Sequence, residues 1–237
     1  MATPRDHEAQ PRTAGASGRQ GVSRRNVMAA TVGGLGLAAV PGNAYAARHR
    51  IGVGSPGTTP VEFRGRINQS GPSGQQFTAY GYLTRVAGTK QSDLFDGAVL
   101  TDSTALLTVS ASGDLEARVL DVSVHSLDIV GTMSIHQREH GGADFDDPSS
   151  FRVGPVVARF DLRLQDVLAV YAVGRGIPTL TGDMVQTTVG ALSGPLAGKV
   201  FGKQHTRTHL FATGLGTLRD PVTLNALLEI AGNWLVE

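Results

Sequence analysis

Apolar and polar side chains alternate along much of the chain between residues 61 and 214. Residues two apart lie on the same face of a strand, so this spacing predicts β-strands that bury one face. Similar runs begin at Val61 and at Leu120. In the clearest run, four apolar side chains alternate with four polar ones: Ala158, Phe160, Leu162 and Leu164 against Arg159, Asp161, Arg163 and Gln165.

The alternating runs are short and are separated by segments rich in Gly, Pro, Asp and Ser. Regularly spaced strands of this kind predict an all-β fold, namely a single antiparallel β-barrel or sandwich. Two longer polar segments, residues 88–103 and 140–150, predict surface loops. No internal repeat of fixed period is present, which argues against a propeller or a solenoid.

Two local features predict how the strands connect. Ser112-Gly113-Asp114 has the composition of a turn and predicts a hairpin between two runs. Apolar side chains occupy even positions before Ser126 and odd positions after it, which predicts a β-bulge or a tight bend there.

The C-terminal segment fits two structures. Asp220 followed by Pro221 can cap and begin a helix, and leucines follow at steps of three and four residues. Residues 223–230 also alternate well enough to form a strand. The pattern therefore leaves one short C-terminal helix and a last strand as alternatives.

Charge separates the N-terminal segment from the rest of the chain. Residues 1–46 carry five arginines and two carboxylates, whereas residues 47–237 carry 16 basic and 18 acidic side chains, a net charge of −2. Proteins that bind nucleic acids need a basic surface, and these residues do not supply one. We therefore expect no nucleic-acid partner.

The segment SRRNVM, residues 23–28, resembles the twin-arginine export signature, with Arg24 and Arg25 as the pair. A weakly apolar stretch follows over residues 27–40, too short for the roughly twenty residues that span a bilayer. Ala44 and Ala46 then supply the small residues of an A-x-A cleavage site. The alternative is a buried helix of the folded domain.

The resemblance implies a signal peptide over residues 1–46 that is recognised by the twin-arginine export machinery and by signal peptidase. It also implies a secreted or periplasmic protein with no membrane span after processing. Residues 47–60 are rich in Arg, Gly and Pro and predict a flexible arm, which leaves residues 61–237 as one domain. The chain contains no cysteine, so the stability of this domain must come from its core rather than from disulfides.

Histidines and carboxylates are the candidate metal ligands. His136 and His140 are four residues apart, as are His205 and His209, and residues four apart share a face of a strand. With Asp144 and Asp146, these side chains form the predicted site for a divalent metal. The alternatives are histidines on an exposed polar face, and aspartates that form Asx-turns in the segment GADFDDP.

The sequence contains none of the usual signatures of covalent catalysis: no G-x-S-x-G, no Ser-x-x-Lys after the leader and no thiol. We therefore expect a module that binds a small apolar ligand or another surface without covalent chemistry. The alternative is a barrel enzyme, either a cyclase or isomerase or a metal-assisted hydrolase. Ligand binding or cyclisation inside a barrel requires a cavity with polar groups converging on it, and a solid apolar interior would exclude both.

Two resemblances bear on the fold. The glycine-interrupted strands and the length of residues 61–237 resemble the dirigent and allene oxide cyclase barrels, which bind an apolar ligand and in some members steer its cyclisation. The segments FTAYGYLT (77–84), ADFDDPSSF (143–151) and GRGIPTLTGD (174–183) resemble secreted twin-arginine substrates of unknown activity from high-GC Gram-positive bacteria. This second resemblance implies a compartment and a shared fold.

Overall fold

A computed structural model describes residues 49–237 of the protein. The predicted signal peptide, with Arg24, Arg25, Ala44 and Ala46, lies outside the described residues. No helix in the described part of the chain is long and apolar enough to cross a membrane.

Eight antiparallel strands close into a barrel. The prediction of an all-β fold is therefore confirmed, and of its two architectures the barrel is the correct one. The strands of the barrel are β2 (Val61–Ser70), β3 (Gln76–Val86), β4 (Leu107–Leu120), β5 (Val124–Gln137), β6 (Val156–Ala172), β7 (Arg175–Val189), β9 (Arg207–Asp220) and β10 (Asn225–Val236). Around the barrel they follow the order β10-β2-β3-β4-β5-β6-β7-β9. Two further strands, β1 (His49–Ile51) and β8 (Lys199–Phe201), pair in parallel outside it.

The two ends of the barrel differ in how the strands are connected. At one end, which we call the hairpin end, short turns join neighbouring strands at residues 71–75, 121–123, 173–174 and 221–224. At the other end, the loop end, the connections are long: residues 87–106, 138–155 and 190–206. The long connections contain short 3-10 turns at Gln91–Asp93, Asp102–Thr104, Pro148–Arg152 and Gly194–Leu196.

Every second side chain of each strand points into the barrel, as the alternation predicts. Phe160 and Leu164 on β6, Leu180 on β7 and Trp234 on β10 are among these buried residues. The Trp234 ring lies 5.3 Å from the ring of Phe160. An apolar core thus fills the middle of the barrel and its loop end.

A second group of buried aromatic rings lies on the outer face of β3 beneath the loops. Tyr80 and Tyr82 point away from the barrel axis, and Phe145 and Phe151 of the 138–155 loop cover them, with ring centroids 5.0–6.1 Å apart. The predicted loops at 88–103 and 140–150 are confirmed. They pack on the barrel wall, which explains why β3 is buried on both faces.

The C-terminal segment is a strand rather than a helix. Between the two alternatives, alternation decided the structure, because β10 closes the barrel by pairing with both β9 and β2. The capping chemistry of Asp220 is still used, since its carboxylate accepts hydrogen bonds from the Val222 amide (2.8 Å) and the Thr223 hydroxyl (2.6 Å). These bonds form the β9–β10 turn instead of a helix start.

Two local predictions are wrong. Ser112-Gly113-Asp114 lies inside β4, where Gly113 is paired with Gly131 of β5, and a Cβ on Gly113 would lie 2.8 Å from a backbone oxygen. This glycine therefore permits a close approach of strands rather than a turn. The change of phase near Ser126 reflects the β4–β5 turn at residues 121–123, and the bulge between these strands lies at Leu115/Ala117.

The predicted flexible arm also differs from the structure over its described part. Residues His49–Ile51 form β1, and Ile51 is fully buried. The amide of Gly57 donates a hydrogen bond to the carbonyl of Val236 at the end of β10 (2.8 Å). An isolated apolar residue among polar ones was too weak a signal to predict this docked segment.

Candidate functional site

The middle of the barrel holds a small cavity with an apolar surface. Its volume is about 70 Å³, and side chains such as Met133, Leu162, Leu210 and Trp234 line it. Polar groups are expected to converge on a cavity inside the barrel, and in this middle part they do not. This cavity is smaller than the roughly 150 Å³ cavity known to accept benzene in another protein.

A larger cavity lies at the hairpin end, where polar groups do converge. Its volume is about 150 Å³. Leu127, Leu168 and Leu228 contribute to an apolar wall. The polar side chains that line it are Gln69, Arg118, His125, Asp166, Arg175 and Thr217.

Asp166 is the most unusual residue of this site. It points inward from β6, and its neighbours in register are Leu127 on β5 and Leu180 on β7. The residue is 1% exposed, and among the described residues neither carboxylate oxygen has a hydrogen-bond partner of normal geometry. No Lys, Arg or His nitrogen of residues 49–237 lies within 4.0 Å of it. A buried carboxyl with no partner is costly and rare in folded proteins.

Burial raises the pKa of Asp166 from its ordinary 3.8 to about 7, because the apolar surroundings disfavour the charged form. The backbone N–H of Thr179 lies outside normal hydrogen-bond geometry but still favours the ionised form of Asp166, and it offsets only part of the rise in pKa. The carboxyl therefore changes its charge near neutral pH. It can donate a hydrogen bond below pH 7 and accept hydrogen bonds, or pair with a cation, above it.

Arg118 holds one side of the opening. Its guanidinium donates hydrogen bonds to the carbonyls of Ser73 and Gly74 in the β2–β3 turn, both at 2.9 Å. Partial burial lowers the pKa of Arg118, and its Nε has no hydrogen-bond partner in the described part of the chain. The arginine thus ties one hairpin to another and leaves one N–H donor unused within the wall of the cavity.

Glycines make room for the site. Gly176 of β7 and Gly216 of β9 face each other across the two strands at the cavity. A Cβ on Gly176 would lie 2.7 Å from Leu168 Cδ1, so a larger residue there would displace that leucine. The narrow strand backbone at these positions lets Leu168 lie against the wall and leaves the space in front of Asp166 open.

The histidines predicted as metal ligands lie in different places. His136 is buried on the outer face of β5, where its Nε2 and the Ser110 hydroxyl are 3.0 Å apart. Burial lowers the pKa of His136, and Arg152 and Arg159 lower it further. His140 is exposed in the 138–155 loop, with Nδ1 3.5 Å from Asp96. These two predicted partners therefore have separate surroundings.

His205 and His209 are also separated by the structure. His205 lies in the turn before β9 with a positive φ of 64°, whereas His209 lies on β9 with Nδ1 2.9 Å from the Asp183 carboxylate. Glu237 approaches this pair, and the three ligand atoms lie within 4.8 Å of one another. Within residues 49–237 no other such group of three ligands occurs. His209 is thus the one predicted ligand in a group that could hold a metal ion, on the exposed outer wall.

The aspartates of the predicted metal site form turns. Asp144 accepts a hydrogen bond from the amide of Asp146 (2.8 Å), and Asp147 accepts one from the amide of Ser149 (3.0 Å). Both are Asx-turns, as the alternative interpretation of GADFDDP predicts. Asp146 lies 3.8 Å from Arg66.

Three residues that line the cavity were not predicted from the sequence: Asp166, Arg118 and His125. A signal for Asp166 was present, because it falls on the apolar face of β6 two residues beyond Leu164. An acidic residue in the apolar phase of a strand is an anomaly that points to a functional position. No comparable signal marked Arg118, since the bulge at Leu115/Ala117 changes the phase of β4 just before it.

Comparison of the chain with protein-family models, with curated proteins and with solved structures finds no match in any of the three.

Proposed function

We propose that this protein binds a small, largely apolar molecule in the hairpin-end cavity. The observation that carries the proposal is Asp166, a fully buried carboxyl that lines an open, largely apolar space and has no hydrogen-bond partner among the described residues. Small-molecule sites in proteins combine an apolar wall with a few well-placed polar groups. A ligand that supplies the missing partner would remove the cost of leaving Asp166 unpaired.

The size and chemistry of the cavity define the ligand class. A volume of about 150 Å³ accommodates a ring or a short branched chain, while the remainder of a larger molecule would extend toward the opening. The group next to Asp166 must donate a hydrogen bond or carry a positive charge when the carboxylate is ionised. The proposed ligand is therefore an apolar molecule with one hydroxyl or amine.

Benzylamine and toluene form a matched pair of probes, because only benzylamine has a donor. At pH 8 we expect both to shift the amide NMR signals of hairpin-end residues, with benzylamine binding at least about tenfold more tightly because its ammonium group pairs with ionised Asp166. Asp166→Asn is expected to remove this preference without removing toluene binding. Ala226→Phe, which fills the cavity, is expected to weaken both probes.

The control for this experiment is Ala111→Val, which reduces the small central cavity and leaves the hairpin end unchanged. Binding that persists in Ala226→Phe but disappears in Ala111→Val would place the ligand in the centre and contradict the proposal. Equal affinities for benzylamine and toluene in the wild-type protein would also contradict it.

A second candidate function is proton transfer, as in an isomerase. It is favoured by the pKa of Asp166 near 7, because a general base works best when its pKa lies near the operating pH. Ionised Asp166 would remove a proton from the α-carbon of a bound β,γ-unsaturated ketone to give a dienolate and return it to the γ-carbon, so that the double bond moves to the α,β position. Conversion of cyclohex-3-enone to cyclohex-2-enone is a suitable assay, and activity unchanged in Asp166→Asn would exclude this role.

We further propose that the protein is exported by the twin-arginine route. Substitution of both Arg24 and Arg25 by lysine is expected to keep the full-length chain inside the cell. Export at the wild-type level by the double variant, measured by immunoblot of the cell and outside fractions, would count against this route.

A further inference from the structure

The hairpin end of the barrel exposes apolar side chains at the tips of three of its four turns. Val122 in the β4–β5 turn is 94% exposed, Val222 in the β9–β10 turn is 87% exposed, and Val173 in the β6–β7 turn is fully exposed. Four more exposed apolar residues flank two of these tips: Val119, Leu120, Val124 and Tyr171. We call the three tip valines the rim valines. Exposed apolar residues concentrated in one place mark sites that contact an apolar partner.

The rim valines follow one another around the barrel. The strand order places the β4–β5, β6–β7 and β9–β10 hairpins side by side, and the fourth hairpin completes the circle. That fourth turn, residues 71–75, has the sequence GPSGQ and carries no apolar tip. The apolar tips therefore occupy three consecutive quarters of the rim around the cavity opening.

The charged groups of this end favour an anionic partner. Three arginines of this end have no carboxylate within 4.0 Å in the described part of the chain: Arg118, Arg175 and Arg219. Of these, Arg175 and Arg219 are exposed. Two carboxylates lie at the turns, Asp121 and Asp220. They accept hydrogen bonds from amides of their own turns at 2.6 and 2.8 Å and remain charged, but they are fewer than the three arginines. Arginines without counterions next to exposed valines can approach lipid phosphates while the valines leave water.

The shape of the rim distinguishes a bilayer from a protein partner. The apex of each turn carries one valine next to a small or polar residue, Ser123, Gly174 or Thr223, and the cavity opening separates the three turns. A stable dimer needs a continuous, complementary surface of about 800 Å² on each partner. A fluid bilayer accepts separate side chains at any spacing, so isolated tips suit it better.

We propose that the hairpin end docks on an anionic lipid bilayer, with the rim valines inserted at the interface and the exposed Arg175 and Arg219 beside the phosphates. Tyr171, which is exposed next to Val173, would lie at the headgroup level, where amphipathic rings are favoured. The cavity would then open toward the membrane. Docking depends on the rim alone. Transfer of an apolar ligand between bilayer and cavity rests in addition on the proposed function.

Sedimentation of the full-length protein with large vesicles tests the docking. The vesicles contain phosphatidylcholine either alone or with about 30% phosphatidylglycerol. We expect the wild-type protein to bind the anionic vesicles more tightly than vesicles of phosphatidylcholine alone. The triple variant Val122→Asp, Val173→Asp, Val222→Asp is expected to bind the anionic vesicles at least about tenfold more weakly than the wild-type protein does. The N-terminal segment is identical in all variants, so differences between them report on the rim.

The matched control is Val99→Asp with Val153→Asp, which changes exposed valines of the long loops at the other end. It is expected to bind vesicles within about twofold of the wild-type protein. Thermal unfolding of each variant checks that the barrel is intact, and single rim substitutions replace the triple variant if that one does not fold. Three results would overturn the proposal: no binding to anionic vesicles, equal losses in rim and control variants, or self-association through the rim in place of vesicle binding.

The result of the vesicle experiment can be distinguished from the result of the benzylamine experiment. Benzylamine binds in water without vesicles, so loss of vesicle binding in the rim variants is expected to leave its affinity unchanged. Conversely, Asp166→Asn alters an interior group and is expected to leave vesicle binding unchanged.

Discussion

Asp166→Asn is expected to raise the free energy of unfolding by about 4 kcal/mol at pH 8 and to change it little at pH 4. In the folded protein the carboxyl has a pKa of about 7, and in the unfolded chain it has its ordinary value of 3.8. Between these two values the folded state holds a proton that the unfolded state has lost. The wild-type protein therefore loses stability from this group as the pH rises from about 4 to about 7.

Asparagine has nearly the same shape but no charge, so the variant does not suffer this loss. The difference in unfolding free energy between variant and wild type should grow across the same pH interval. It should level off above pH 7, because Asp166 is then ionised in both the folded and the unfolded protein. Urea denaturation at a series of pH values measures it. A difference that is independent of pH would contradict the assignment of a raised pKa to Asp166.

Asp161→Asn provides the matched control, since Asp161 lies on the same strand but is exposed. Its effect on stability is expected to stay within about 0.5 kcal/mol at every pH. A pH-dependent difference of similar size in both variants would mean that the effect does not come from burial.

Trp234→Ala is expected to lower the free energy of unfolding by about 3–5 kcal/mol, the second largest effect that we predict. Trp234 is 2% exposed and packs against Phe63, Phe160 and Phe201, with ring centroids 5.3–6.5 Å apart. Its indole N–H has no hydrogen-bond partner within residues 49–237, so the loss comes from packing and from the cavity left behind. Because this is the only tryptophan of the chain, circular dichroism rather than fluorescence must follow unfolding.

The control for the core is Tyr171→Ala, which removes an exposed ring at the hairpin end. It is expected to change stability by less than about 0.5 kcal/mol. If both aromatic substitutions destabilised the protein equally, the apolar core would not be centred on Trp234.

Alternation was sufficient to predict the fold class. The run around Phe160 and Leu164 has the same inward phase in the structure as in the sequence. What alternation did not specify is which strands meet, since closure depends on the pairing of β10 with β2, more than 150 residues apart. The choice between barrel and sandwich therefore required long-range information that no local pattern contains.

Local turn signals were less reliable, and for a physical reason. Gly113 is a glycine because a strand approaches it closely, whereas the true turn at residues 121–123 contains the exposed Val122. Composition predicted the first as a turn and the second as strand. An exposed valine at a turn breaks the usual preference for polar residues there, and the proposed bilayer contact accounts for it.

The candidate site was predicted least well. The spacing of the histidines predicted a metal site. The cavity is instead formed by inward residues of strands that are distant in sequence, among them Asp166, Leu228 and Gly216. Of the cavity residues, only Asp166 could be recognised from the sequence, because it stands at an apolar position of the alternating pattern. An acid that costs stability in an otherwise apolar position is a feature that function explains better than folding.

An NMR titration of the Asp166 carboxyl carbon, with and without benzylamine, is the most direct test that a ligand binds next to this residue. We expect a pKa near 7 in the free protein, because the carboxyl is buried without a partner. Bound benzylamine should lower this pKa, since its ammonium group stabilises the carboxylate. An Asp166 pKa that lies in the ordinary range for aspartate and does not respond to benzylamine would contradict the account.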